Sequence, residues 1–95
     1  MRLVWSNLAI AELRALRRTS VARWGDAVAE HYLEDVAAAA KQIGADPDRA
    51  RPLKGALRIF RVRSHYLILQ IDTLANRVTV ARVLHVAMDI ERHLP

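Results

Sequence analysis

Four histidines, at positions 31, 65, 85 and 93, are the side chains best suited to moving a proton or holding a metal ion near neutral pH. No two of them lie three or four positions apart, and an acidic residue completes a helical metal pair with His31 only by chance. The chain has no cysteine, which excludes disulfides, thiolate ligands, iron–sulfur clusters and a cysteine nucleophile. Ser6, Ser20 and Ser64 lack the strand–turn–helix context of a nucleophilic serine. Three scattered glycines cannot make a phosphate-cradling loop. The motifs therefore predict no catalytic set, no cofactor and no metal.

Cationic chemistry is better represented, because thirteen of the fifteen Lys and Arg residues are Arg and the net charge is +5. A guanidinium is a rigid fork that pairs two-fold with carboxylate or phosphate, so this bias suits an anionic partner, either nucleic acid or an acidic protein. Arg58, Arg61, Arg63, Arg77 and Arg82 fall in β-prone runs. In a two-residue alternation Arg61 and Arg63 share a face with Leu57 and Ile59, which predicts a cationic sheet surface away from the helices, or at its end. That surface reads either as a solvated face or as an anion-binding groove. A metal-free ribonuclease could use His85 for proton transfer, with Arg61 and Arg82 stabilising the phosphorane. At the end of an apolar strand, however, a residue such as His85 is more often a structural hydrogen-bonder. Trp24 reads as an interface anchor or as the staple of a helix hairpin, and Tyr32, inside an apolar stripe, as core.

The elements that must position these residues follow from periodicity. Arg2 to Trp5 is a short strand, and Ser6 or Asn7 can cap the helix after it. Ala9, Leu13, Leu16, Ser20 and Trp24 recur at helical spacing, and Gly25 stops that helix with Asp26 placed to cap the next. From Ala27 to Ile43 the apolar positions Ala29, Tyr32, Leu33, Val36, Ala40 and Ile43 line one face, and Gly44 with Asp46-Pro47 ends the helix. Two helices with narrow stripes need a third surface, so they should pack as a hairpin against a sheet. Ala45 to Gly55 is a Pro- and charge-rich connector. Leu57–Arg63, Tyr66–Asp72 and Arg77–Leu84 then read as an antiparallel meander, with Leu67, Leu69 and Ile71 on one face beside Phe60, Val62, Val78 and Val80. Met88 to Leu94 is a short helix with Asp89 at its start.

Ninety-five residues, 53% apolar and 26% charged, make one α+β domain spanning 1–95 and leave no room for an interdomain cleft. No apolar run approaches the roughly 20 residues of a bilayer span, and the N-terminus lacks a signal peptide's pattern, so a cytoplasmic product without membrane contact is expected.

Four segments carry a family resemblance: ARWGDAVAEHYLEDV with GADPDRARPL, then LRIFRVRSHYLILQI, and above all TVARVLHVAMDIERHL. In this order the chain resembles toxins of the RelE/ParE superfamily, and within it the ParE branch. The resemblance implies a strand, a helix hairpin and a meander. It also implies a ParD-like antitoxin partner in a hetero-oligomer, and inhibition of DNA gyrase by binding, with no catalysis and no direct DNA contact by the toxin alone. In the RelE branch, a ribosome-dependent mRNA endonuclease, cations would fall at Arg61 and Arg82 and an ionisable residue at His85. This chain departs from that pattern in having no Tyr after Tyr66. A non-toxic antitoxin-binding module is the remaining alternative. The expected antitoxin or target surface comprises Leu13, Trp24, Arg58, Arg61, Arg63, Arg82, His85, Met88, Asp89 and Arg92. Ala37 to Ala40 departs from bulkier residues in the family's second helix and implies a shallow groove there.

Overall fold

Strand β1 (Arg2–Trp5) feeds helix α1 (Asn7–Trp24) through Ser6, whose side chain accepts the Ala9 N–H at 3.0 Å. Helix α2 (Asp26–Ala45) returns alongside it, and the chain ends in strands β2 (Arg51–Lys54), β3 (Leu57–Val62), β4 (His65–Asp72) and β5 (Arg77–His85). In this computed structural model, which describes all 95 residues, the strands form one sheet ordered β1-β5-β4-β3-β2. The pairs β2–β3, β3–β4 and β4–β5 are antiparallel, whereas β1 joins β5 in parallel after the two-helix crossover. This is the expected α+β arrangement of hairpin and meander, enlarged by one strand.

The expected stripes meet where periodicity places them. Tyr32, Val36, Ala40 and Ile43 of α2 are buried with Leu67, Leu69, Val62, Val78 and Val80 of the sheet, and Phe60 and Ile71 pack at the margin; Ala29 is buried too, whereas Leu33 of the same stripe is only half-buried. The stripe of α1 is shallower. Ala9 and Ser20 are buried, while Leu13 and Leu16 are half-buried and Trp24 stands 54% exposed.

Four boundaries differ from expectation. Gly25, not Asp26, is the N-cap of α2; its φ of 87° and ψ of 171° form a corner that a residue with a Cβ adopts only under strain. Gly25→Ala is therefore expected to lower stability by about 1–2 kcal/mol in urea unfolding, although the added methyl would meet nothing within 4 Å. Gly44 does not stop α2 but lies inside it, where β1 crosses closely: the Met1 amino group donates to Gly44 O at 3.1 Å. The connector holds a 3₁₀ turn (Pro47–Arg49) and strand β2, an outer strand whose Pro52, basic residues and bulge discourage further pairing. The C-terminal segment is a 3₁₀ turn (Ile90–His93), and Asp89 makes no side-chain cap.

The far face of the sheet departs most. Ile59, Ile68 and Leu84 form a second apolar cluster there, covered by Leu53, Leu57, Tyr66, Ile90 and Leu94. The expected cationic sheet surface is thus largely apolar, because the C-terminal turn folds back over it, and the strand arginines are dispersed rather than arrayed.

Candidate functional site

A bulge in β5 decides which residues reach the helix side. Ile68 pairs with Arg82 but the next residue, Leu69, pairs with Val80, so Ala81 is the extra residue. Val78 and Val80 face the helices before it; Val83 and His85 do so after it, and Arg82 and Leu84 turn away. Without that inserted residue His85 would project to the far face. With it, His85 stands opposite His65, the two rings edge to face with centroids 5.1 Å apart.

The His pair sits at one end of a groove of about 350 Å³ between α1 and β5. Leu16 and Val83 line it, Trp24 and Met88 stand at its rim 54% and 39% exposed, and Arg23 lies at its mouth with its guanidinium 5.4 Å over the Trp24 ring. The groove exists because β1 ends at Trp5, opposite Val80, while β5 continues to His85. Side chains occupy the vacated edge of β5. Ser6 Oγ donates to Ala81 O at 2.8 Å, and Glu12 Oε1 accepts the Val83 N–H at 2.9 Å.

Behind the His pair lies a polar network. Tyr32, buried as expected, projects its hydroxyl from α2 to within 2.6 Å of His65 Nδ1, and the same oxygen accepts the Ser64 N–H at 3.0 Å. His85 Nδ1 accepts the Ala87 N–H at 3.0 Å. Burial, and secondarily the neighbouring charge of His85, hold His65 below its ordinary pKa of 6.5. A folded-state value below the unfolded one means the unfolded chain binds more protons. The stability due to neutral His65 is therefore full above about pH 6.5 and lost progressively below it. Urea midpoints measured from pH 7.5 down to about 5 are expected to fall, and to fall less steeply in His65→Gln.

The arginines are mostly committed inside the chain. Arg82 donates to both Glu12 carboxylate oxygens and, at 2.8 Å, to His93 O. Arg58 donates to Pro47 O and Ala50 O, Arg63 donates to Asp35 at 2.7 Å, and Arg77 pairs with Asp72. Arg61 is exposed and pairs across the sheet with Tyr66, on the face opposite His85. Arg61, Arg82 and His85 are therefore not gathered into one constellation.

The sequence model of the ParE toxin of the type II toxin-antitoxin system parDE matches residues 3–90. The chain belongs to the ParE toxin family. The solved chromosomal ParDE TA system from P. aeruginosa has a chain similar to this toxin at a TM-score of 0.80 and 19% identity, over 90% of this chain and 96% of that one. A YoeB/ParE toxin from Agrobacterium tumefaciens is similar at a TM-score of 0.66 and 17% identity, over 90% of this chain and 98% of that one. At these identities the likeness is one of fold. No functionally curated protein is a significant match.

Of the residues expected on the toxin's partner surface, Trp24, His85 and Met88 share the α1–β5 groove. Leu13 lines a different one, of about 280 Å³, between α1 and α2, where Trp5, Leu33 and Val36 meet the small, exposed Ala37. Asp89 and Arg92 are exposed and pair with each other at 3.5 Å. The reading of Trp24 as a hairpin staple does not hold, since its ring stands 54% exposed. Tyr32, His65 and Glu12 are the site residues that sequence reasoning missed. Only the register opposite His85 could have marked His65.

Proposed function

We propose that this toxin arrests growth by binding DNA gyrase without breaking any covalent bond, and that a ParD-like antitoxin neutralises it by covering the α1–β5 groove. Membership of the ParE family supports the partner. The observation that carries the binding mode is the groove itself, an open apolar trough rimmed by exposed Trp24 and Met88, which is the composition of a protein-docking hot spot. The two cations expected to serve an RNA-cleaving site with His85 are not beside it: Arg82 pairs with Glu12, and Arg61 lies on the opposite face. No helix is long and apolar enough to cross a membrane, which suits action on a cytoplasmic topoisomerase.

Purified toxin is expected to inhibit supercoiling by gyrase or to trap its cleaved complex, and co-purified antitoxin to restore activity. Gyrase that is untouched in both assays, while the toxin still arrests cells, would refute the target. Message cleavage on translating ribosomes that disappears in His85→Ala would refute the non-catalytic reading.

A further inference from the structure

The groove holds two imidazole N–H groups whose tautomers are set from behind. A backbone N–H can only donate, so the bond from Ala87 N makes His85 Nδ1 an acceptor and leaves the proton of neutral His85 on Nε2. The Tyr32 hydroxyl, which accepts from Ser64, meets His65 Nδ1, and donation of its single phenol proton to that nitrogen puts the proton of neutral His65 on Nε2. Neither Nε2–H has an acceptor within the chain, and neither belongs to a buried, unpaired atom, so both are open to an incoming group. The residues are direct cross-strand partners, which brings both donors within reach of one carboxylate.

The surroundings select what that group belongs to. Arg23 has no acidic partner and adds a free cation at the mouth, whereas Glu12 is taken by Arg82. Ala15, Leu16, Trp24, Val83 and Met88 make the walls apolar. A phosphodiester chain, charged at every residue, would have to lie against those walls and near the Glu12 carboxylate. A peptide that places an acidic residue beside an apolar one matches both halves of the groove.

We propose that the groove takes an acidic, apolar segment of the antitoxin, seats one Asp or Glu carboxylate on the Nε2–H groups of His65 and His85, and draws a proton onto that pair as it does so. This rests on the reading that an antitoxin covers the groove. The groups facing the pair are Tyr32 and Arg63, the latter tied to Asp35 of α2; Glu12 and Arg23 of α1; and His85 itself across from His65. No carboxylate of the chain contacts either ring, and burial together with His85 keeps His65 neutral in the free toxin. An arriving carboxylate reverses that balance by favouring the charged imidazole. Affinity for the antitoxin then rises as pH falls from about 7.5 to about 5.5, by at most about tenfold per pH unit for each proton taken up.

Proton NMR of the isolated toxin tests the site without any antitoxin. Sodium acetate, against sodium chloride at equal ionic strength, is expected to move the imidazole resonances of His65 and His85 and leave those of His31 and His93 unchanged. Equal behaviour of all four histidines overturns the carboxylate site. Inorganic phosphate or a short oligoribonucleotide acting on the pair more strongly than acetate overturns the peptide assignment. Calorimetry of the toxin with its cognate antitoxin, in buffers of differing ionisation enthalpy, is then expected to report proton uptake. His85→Gln, which keeps an N–H donor but cannot titrate, should bind a few-fold more weakly at pH 7.5 and lose part of the rise on the acid side. Antitoxin binding with no proton uptake overturns the inference and leaves the antitoxin reading standing. A selective acetate response without antitoxin binding supports the carboxylate site and overturns the antitoxin reading instead.

Discussion

Glu12→Ala is expected to destabilise the toxin by about 3 kcal/mol, more than any other single change outside the apolar core, and urea unfolding will report it. The carboxylate has two jobs at once. It accepts two-pronged donation from Arg82 at 2.9–3.2 Å, it accepts the Val83 N–H at 2.9 Å, and it does both where β5 has lost its neighbour β1. The side chains of Glu12 and Arg82 are only 19% and 17% exposed, so water cannot replace what is removed. Truncation strands a guanidinium and a strand N–H together, and each unmatched donor carries its own desolvation cost. Glu12→Gln keeps one oxygen for Val83 and should lose less. Arg82→Ala should cost a comparable amount, and the double variant less than the sum of the singles, because the second truncation removes the charge that the first left unpaired. A loss below about 0.5 kcal/mol for Glu12→Ala would mean that the pair behaves as an exposed ion pair. The result also governs how Arg82 is read in binding experiments. An Arg82→Ala toxin that fails to bind a partner has first lost part of its fold.

This pair marks a limit of reading the chain from its residues alone. Glu12 and Arg82 are separated by 70 positions, and no local pattern links them. Arg82, seen in a strand, looks like a free cation; its partner lies on a helix that meets β5 only because β1 is short. The bulge at Ala81 is just as silent, since no glycine or proline announces it, and simple alternation from Val78 and Val80 would put His85 on the wrong face. Strand β2 was hidden for a related reason, because an outer strand that must resist further pairing is built from Pro52 and basic residues, the composition of a loop. What was legible had strong periodicity and deep burial together. The α2 stripe from Ala29 to Ile43 faces the core as its spacing requires, because the exposed positions beside it are polar or small enough to leave one choice of face; Leu67, Leu69 and Ile71 also face that core, while Ile68 is buried on the other side of β4. The α1 stripe was legible as far as Ser20 and misleading after it. Trp24 continues the spacing, but its ring stands 54% exposed at the rim of the α1–β5 groove.

That exposure makes Trp24 the residue where stability and binding should separate most cleanly. Trp24→Ala is expected to leave the unfolding midpoint within about 0.5 kcal/mol of the parent, since the ring is more than half exposed. Antitoxin affinity should nevertheless fall by about thirty-fold, roughly 2 kcal/mol, as expected for an aromatic anchor that becomes desolvated only in the complex. Leu13→Ala provides the contrast. Leu13 is half-buried against the core beside Trp5 and Val36, so its truncation should cost stability whatever binds, and it should weaken the antitoxin only if that partner also reaches the groove between α1 and α2. Surface plasmon resonance on both variants, with urea midpoints measured in parallel, distinguishes the cases. A Trp24→Ala toxin with unchanged affinity would remove the α1–β5 groove from the antitoxin's path, whatever Leu13 reports, and the exposed indole with Arg23 stacked on it would then have to face the target instead.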